Sequence, residues 1–372
     1  MRVVDPLLPV IAAEFDISLG RAGLIITAYS LPYGLCVLGY GPLGDRYGKL
    51  HVIILAMAVS AGCIFMCGFA TDLPSLIGWR FLSGMSCAAT VPLSLAFISD
   101  NFPLGERQRA IARYMSGVIL GQIVGAGLSG IFADYVGWRS IFLVYGVLTA
   151  LATLLVWLGA RHLVLPVQAA SGLRGALVRY RAAFKRKASR EVMLAVFIEG
   201  MLLFGSTAFI GAMLHNQYHL QLTGVGMLLV CVGVGSLAYT GAVSWLVRVL
   251  GQRGMIALGG TLMACCFALL GHSQQWQLAA PLLVVLGFAI YLMHNTLQTL
   301  GTELALDARG TSVSLMVFLL FSGQALGAFG LGHAIDHFGY AASYTVIALA
   351  LGLLGWWLQG TRALAAGLHA KA

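Results

Sequence analysis

The chain has 372 residues, of which 59% are hydrophobic and only 9% charged, with a formal net charge of +9 and a mean hydropathy of +0.89. A soluble domain carries nearer 25% charged residues, so polar side chains are too few here to cover a water-facing surface. This composition excludes a soluble globular protein and points to a polytopic membrane protein.

Charges punctuate the chain, and the gaps between them measure the predicted spans. Uncharged stretches at 22–44, 50–71, 81–99, 114–133, 140–160, 310–335 and 337–361 each approach or exceed the ~20 residues an α-helix needs to cross hydrocarbon. The longer gaps at 200–247 and 254–302 are split by polar turns, at His215-Asn216-Gln217 and at 272–276, so each holds two spans. Glycine and proline inside these runs favour packed helices over barrel strands, which alternate with period two. The predicted spans are 20–40, 51–71, 74–98, 111–133, 140–160, 192–214, 222–246, 255–272, 279–300, 312–334 and 341–360, with a partial span at 1–14 before them. The seven cysteines all fall inside apolar runs and read as small packing residues.

Eighteen of the 22 Lys and Arg residues fall on the side holding Arg46, Lys49, the 100–113 loop, the 161–190 segment, Arg248, Arg253, Arg309 and the C-terminus. The positive-inside rule makes that side, and the C-terminus with it, cytoplasmic. The basic excess is therefore topological, and no nucleic-acid partner is expected. The 161–190 segment carries eight basic residues and no acid. It reads as a headgroup-hugging linker between a bundle at 1–160 and a second at 191–372.

The two sides of the linker resemble each other. Gly121, Gln122, Gly125, Ala126, Gly130, Asp134 and Gly137 recur as Gly323, Gln324, Gly327, Ala328, Gly332, Asp336 and Gly339. The offset is 202 throughout, and it also pairs Arg46 with Arg248 and Arg107 with Arg309. Six spans duplicated in parallel suit two bundles rocking about a midplane site. By the same offset the first helix is expected to lack roughly a dozen residues at its start, which half a helix in lipid cannot satisfy.

Between the second and third spans stands Gly41-Pro42-Leu43-Gly44-Asp45-Arg46-Tyr47-Gly48-Lys49. It is not a phosphate loop, because Leu43 stands where GxxxxGK needs glycine and Leu50 where it needs Ser or Thr. It closely resembles the GxLaDRxGRK signature of the major facilitator superfamily. Arg80-x-x-x-Gly84 in the fourth span and Asp100-Asn101-Phe102-Pro103 with Arg107 after it resemble that family's RxxxG and D-x-F-P-x-x-x-R. The resemblance covers the whole chain and is closest to the twelve-span proton-coupled exporters of drugs, sugars and related metabolites. It implies two six-helix bundles, a monomer, a proton gradient in place of any cofactor, and a bacterial inner membrane location.

The resemblance also implies roles. Gly41, Asp45, Arg46, Gly48, Lys49, Asp100 and Arg107 form a cytoplasmic gating network, with Asp45 facing the start of the eleventh span near Thr311 and Ser312 and Arg46 bridging to Asp100. The fifth span resembles the exporters' GxxxGPxxGG, with Ala126 in place of proline and Ser129 in place of glycine.

An ionised residue at mid-span costs on the order of 2.5–3.5 kcal/mol on insertion scales, so those that persist are functional candidates. They are Arg2, Asp5, Arg80 and Glu199. The depths of Asp5 and Arg80 differ by only about 4–5 Å at 1.5 Å per residue, so a salt bridge between them is expected to load and release a proton, with Arg2 the rival partner. Glu199 has no obvious partner at its depth and reads as a second proton or cation site. Glu303 and Asp307 sit where the tenth span meets the cytoplasm. Tyr29, Tyr33, Gln122, Tyr239, Tyr291, Asn295 and Gln324 are candidates to line a substrate cavity, with His294 a weaker one.

The reading these features favour is a proton-coupled antiporter exporting a small solute. An uptake symporter on the same fold, or a transport-inactive remnant with an incomplete first helix, are the alternatives. An enzyme or haem carrier would want matched histidines at depth, a zinc HExxH, a nucleophile motif or a Walker loop, and the sequence has none of these motifs.

Overall fold

The computed structural model describes residues 2–162, 178, 180, 181, 187–303 and 309–361. Most of the 161–190 linker, Asp307 and the end of the chain lie outside them, as do the side chains of Arg2, Arg309 and Thr311. The described residues form helices and no strand. Nine helices among them are long and apolar enough to cross a membrane: Leu19–Tyr47, Lys49–Cys67, Leu73–Asn101, Gly105–Tyr135, Trp138–Ala160, Lys187–Tyr218, Leu222–His272, Trp276–Glu303 and Ser312–Gln359.

Two of the nine, 51 and 48 residues long, turn at Gly251 and Gly339, where φ is 60° and 75°. Each holds two crossings, which gives the eleven whole spans expected, numbered here two to twelve. Gly48 (φ 87°) and Gly137 (φ 95°) make the corresponding turns after spans two and five. Only a residue without Cβ takes this conformation cheaply. Gly137 and Gly339, the last matched pair of the sequence repeat, thus do one job twice.

The chain ahead of span two departs from the single helix expected over 1–14. A 3-10 turn at Arg2–Val4 is followed by a helix at Leu8–Glu14, and Asp5 sits in the turn between them. Pro6 lacks the N–H that a continuous helix would use there. Span four opens on a capping box. Asp72 accepts from the Ser75 backbone N–H at 2.8 Å while Ser75 Oγ faces the Asp72 N–H. That backbone bond holds the exposed Asp72 carboxyl below the usual carboxylate range.

Within the first six spans, three packs on six and four packs on two and three; within the last six, eight packs on ten. Small residues set these distances. A Cβ on Gly235 would lie 1.9 Å from the Val284 carbonyl, and one on Gly287 would lie 1.9 Å from that of Val232, so spans eight and ten cross backbone to backbone. Outward, Leu155, Leu353 and Trp356 each leave 70–72% of their surface uncovered, the arrangement expected where lipid is the solvent. Two further pairs cross between the first six spans and the last six: span two on eleven, and span five on eight.

Candidate functional site

One end of the molecule holds Arg46 and Lys49 and is called the basic end; Arg21 and Arg139 mark the opposite end. At the opposite end the repeat explains itself. Asp134, at the end of span five, accepts from the backbone N–H groups of Leu222 (3.2 Å) and Thr223 (2.6 Å) at the start of span eight. Asp336, at the end of span eleven, accepts from Gly20 N–H (2.9 Å) at the start of span two. Residues 20 and 222 are themselves 202 apart, so acid and recipient repeat together. Each carboxylate meets the unsatisfied donors and positive dipole of a helix N-terminus.

The glycines of the repeat let the backbones close beneath these caps. A Cβ on Gly332 would lie 2.8 Å from Gly20 Cα, and one on Gly130 would lie 2.2 Å from the Leu222 carbonyl. Toward the basic end spans five and eight part, while spans two and eleven stay in contact as far as Gly34 and Phe318. Gly23, Gly34 and Gly41 share a face of span two at 100° per residue. A Cβ on Gly23 would press on Phe209, one on Gly34 would press on the Phe318 carbonyl, and one on Gly41 meets nothing within 4 Å among the described residues. Span five likewise touches span eight down to Ile123 against Gly233, and there a cavity begins.

That cavity, about 210 Å³, is lined by Asp5 from the first segment, Gln122 and Ile119 from span five, Phe204 and Thr207 from span seven, Ser236 from span eight, Tyr291 and His294 from span ten, and Leu320 from span eleven. Of the cavity candidates Gln122 and Tyr291 lie in its wall, and Asp5, marked in the sequence as a proton-coupling residue, lies beside them. Of the other cavity candidates, Tyr29, Tyr33, Tyr239 and Gln324 are buried in packing. Tyr33 stacks on Phe321 of span eleven (centroids 4.1 Å apart) and Tyr29 on Tyr33 (5.9 Å). Tyr239 packs against Tyr291 and Phe288 and bonds to Asn295. Tyr29 and Tyr33 do share one face, as i and i+4 must, but that face meets span eleven and not the cavity.

The intramembrane charges are paired differently from expectation. The Arg80 guanidinium lies 4.3 Å from the centre of the Tyr29 ring, and among the described residues its Nε has no hydrogen-bond partner and no ion pair joins it to Asp5. The turn at Asp5 is the reason. It brings the Asp5 carbonyl against Gly211 of span seven and its side chain to the cavity, away from the two-four crossing where Arg80 sits. Glu199, in contrast, does have a partner: its Oε2 is 3.1 Å from Nδ1 of His294.

The signature loop is also rearranged. Lys49, not Arg46, pairs with Asp100, and its Nζ lies 3.6 Å from Asp45 as well. Gly44 packs on Leu93 of span four, and Arg46, two residues or about 200° further round, faces away over the Tyr47 ring at 5.2 Å. The turn at Gly48 then brings Lys49 back to the inner face. Gly41 has no neighbour within 4 Å of a built Cβ among the described residues, and Arg107 bonds to the Phe102 carbonyl at 3.4 Å. Ser312, named as a neighbour of Asp45, instead donates to the Gly301 carbonyl. At the opposite end Glu14 receives Trp138 Nε1–H (2.5 Å) and pairs with Arg139. This tie between the first segment and span six is marked in the sequence by no motif.

The geometry agrees with what the chain is similar to. The model of the Major Facilitator Superfamily matches residues 1–328. The chain is 24% identical over 355 residues to the MFS-type transporter YceJ of Bacillus subtilis (strain 168), covering 94% of this chain and 90% of that protein. It is 24% identical over 162 residues to the multidrug export protein EmrB of Haemophilus influenzae, covering 43% of this chain and 32% of that one. The crystal structure of the nucleoside transporter NupG superposes with a TM-score of 0.77 at 12% identity over 95% of this chain and 93% of that one, a likeness of fold. With the signature loop, the twice-built span pairs and the shared cavity, these matches identify an integral membrane transporter of a small molecule, not an enzyme, and the chain belongs to the Major Facilitator Superfamily.

Proposed function

We propose that this transporter is a proton-coupled antiporter that exports a small solute by alternating access. The observation that carries the reading is the cavity: it holds a carboxyl (Asp5) and an imidazole (His294) between spans of both bundles, with spans closed on one side of it and parted on the other. The basic end is the cytoplasmic end by the positive-inside rule, so this is the inward-facing state and a solute enters from the cytoplasm. Asp5, Arg80 and Glu199 are the proton-coupling residues on this reading, the bundles are 1–160 and 191–372, and a bacterial inner membrane is the setting. Similarity to a multidrug export protein supports the outward direction.

The signature loop fits the same cycle. In the present state Asp45 is held by Lys49. When the basic end closes, Asp45 is expected to exchange that partner for the span eleven N-terminus, where a carboxylate is worth about 0.3–1 kcal/mol. Inverted vesicles with an imposed pH gradient and a pH-sensitive dye test the assignment. Sugars, purines and lipophilic cations are added in turn. Solute-dependent collapse of the gradient, absent with Asp5→Asn, is the expected result. Solute movement that leaves the gradient untouched, or an identical response from Asp5→Asn, overturns the coupling assignment.

A further inference from the structure

Glu199 is the last α-helical residue of span seven before a π-helical turn at Gly200–Phe204, a local unwinding often found at functional sites. It is fully buried, Oε2 meets His294, and among the described residues Oε1 has no hydrogen-bond partner. A buried carboxylate with one oxygen unsatisfied is costly and in most proteins has a reason to be there. His294 stands between it and the cavity. The ring lines the cavity wall, Phe204 of the π-turn sets its edge at 5.4 Å between centroids, and Nε2 lies 3.0 Å from the amide nitrogen of Gln298. An amide nitrogen only donates, so Nε2 is an acceptor and the neutral ring carries its proton on Nδ1, aimed at Glu199.

We propose that Glu199 and His294 form one proton-carrying dyad, in which the imidazole passes a proton between cavity water and the buried carboxylate. The proposal rests on the proton-coupled reading above and adds the carrier and its route. A proton arriving at Nε2 lets Nδ1–H move to Oε2. The products are a neutral ring protonated on Nε2 and a neutral carboxylic acid, with one proton gained overall. The dyad passes from one net negative charge to none in a low-dielectric site, so its charge is tied to what occupies the cavity. Gln298 then turns its carbonyl to the new N–H.

Few other charges face the pair. The first segment contributes Asp5 and span ten contributes Tyr291 to the same cavity, and Tyr239 of span eight packs behind Tyr291. Span eleven presents Leu320, Gly323 and Gly327 to this stretch of span seven, none of them titratable. Arg190 and Glu191 lie more than two turns toward the basic end of span seven, and Glu303 lies at the end of span ten, bonded to Gln252.

Infrared difference spectra of the whole protein in lipid nanodiscs, recorded between alkaline and acidic pH with no solute present, test this directly. Acidification of the wild type is expected to produce a protonated-carboxyl stretch together with a change of imidazole tautomer. Glu199→Gln removes the component of the carboxyl signal that belongs to the buried acid, and His294→Gln moves the pH at which that component appears by about one unit or more, a tenfold change in proton affinity. Asp5→Asn, which removes the other cavity carboxyl, leaves the Glu199 component and the tautomer change in place. A carboxyl signal that survives Glu199→Gln intact, or that titrates at the wild-type pH in His294→Gln, overturns the dyad. If Glu199→Gln does not fold, the His294→Gln titration decides alone. Because no solute is used, the result stands apart from the dye assay: a titrating dyad with no gradient collapse would fault the antiport reading and not the dyad.

Discussion

Arg80 shows how a single side chain takes its place from the ring beside it rather than from an ion. Its guanidinium lies over Tyr29 with Nε unpaired, and Tyr29 leans on Tyr33, which stacks on Phe321 across the bundle boundary. A desolvated cation–π pair contributes about 2 kcal/mol, and lysine does not reproduce the planar stacking. In a double-mutant cycle, Arg80→Lys and Tyr29→Leu are expected to show a coupling of about 1–2 kcal/mol in SDS-titrated unfolding. Additive losses would mean that the stack carries no energy. The site was only partly legible at this scale. The sequence marks Asp5, Arg80 and Glu199 because ionised residues are rare in apolar runs. It cannot show that His294, 95 residues on, is the partner of Glu199, since no local spacing links two spans that meet only in the fold. Arg46 and Lys49 sit in one motif, and only the turn at Gly48 decides which of them reaches Asp100.

Among the elements, glycine does two kinds of work that the spacing alone does not separate. Gly235 and Gly287 join spans eight and ten inside one bundle, whereas Gly130 and Gly332 lie where spans of different bundles meet and part. Gly287→Val is expected to destabilise the folded protein by about 1–3 kcal/mol, the usual cost of overpacking, visible as a lower unfolding midpoint in detergent. Gly130→Val should leave that midpoint nearly unchanged and hold the opposite end apart. Spin labels at positions 21 and 338, in a background with the native cysteines replaced, would report a longer distance. Span number and the repeat were legible because length in apolar residues and a fixed offset are properties of the chain itself; the limits were less so, since span two runs on to Tyr47 through most of the signature segment and span five starts at Gly105. The break at Asp5–Leu7 was not, since an apolar stretch with one proline reads as helix until its neighbours are known.

For the whole molecule, the two aspartate caps set the balance between states. Each is a carboxylate on a helix N-terminus, and removing the charge while keeping the shape costs about 0.3–1 kcal/mol, or roughly two- to fivefold in population. Asp134→Asn and Asp336→Asn are each expected to enlarge the long-distance fraction of the same spin-label pair by that factor, and the double variant by their product. A single variant that opens the end as fully as the double would show that the two caps do not act alike.

The pattern of those caps has a further consequence. Acid 134 of one bundle meets residue 222 of the other, and acid 336 of the second meets residue 20 of the first, so i touches j while j touches i. That is the rule of an isologous two-fold interface between identical subunits, written here within one chain. A six-span unit bearing one such aspartate and one such helix start is self-complementary. Two copies of it would close on each other with no linker between them.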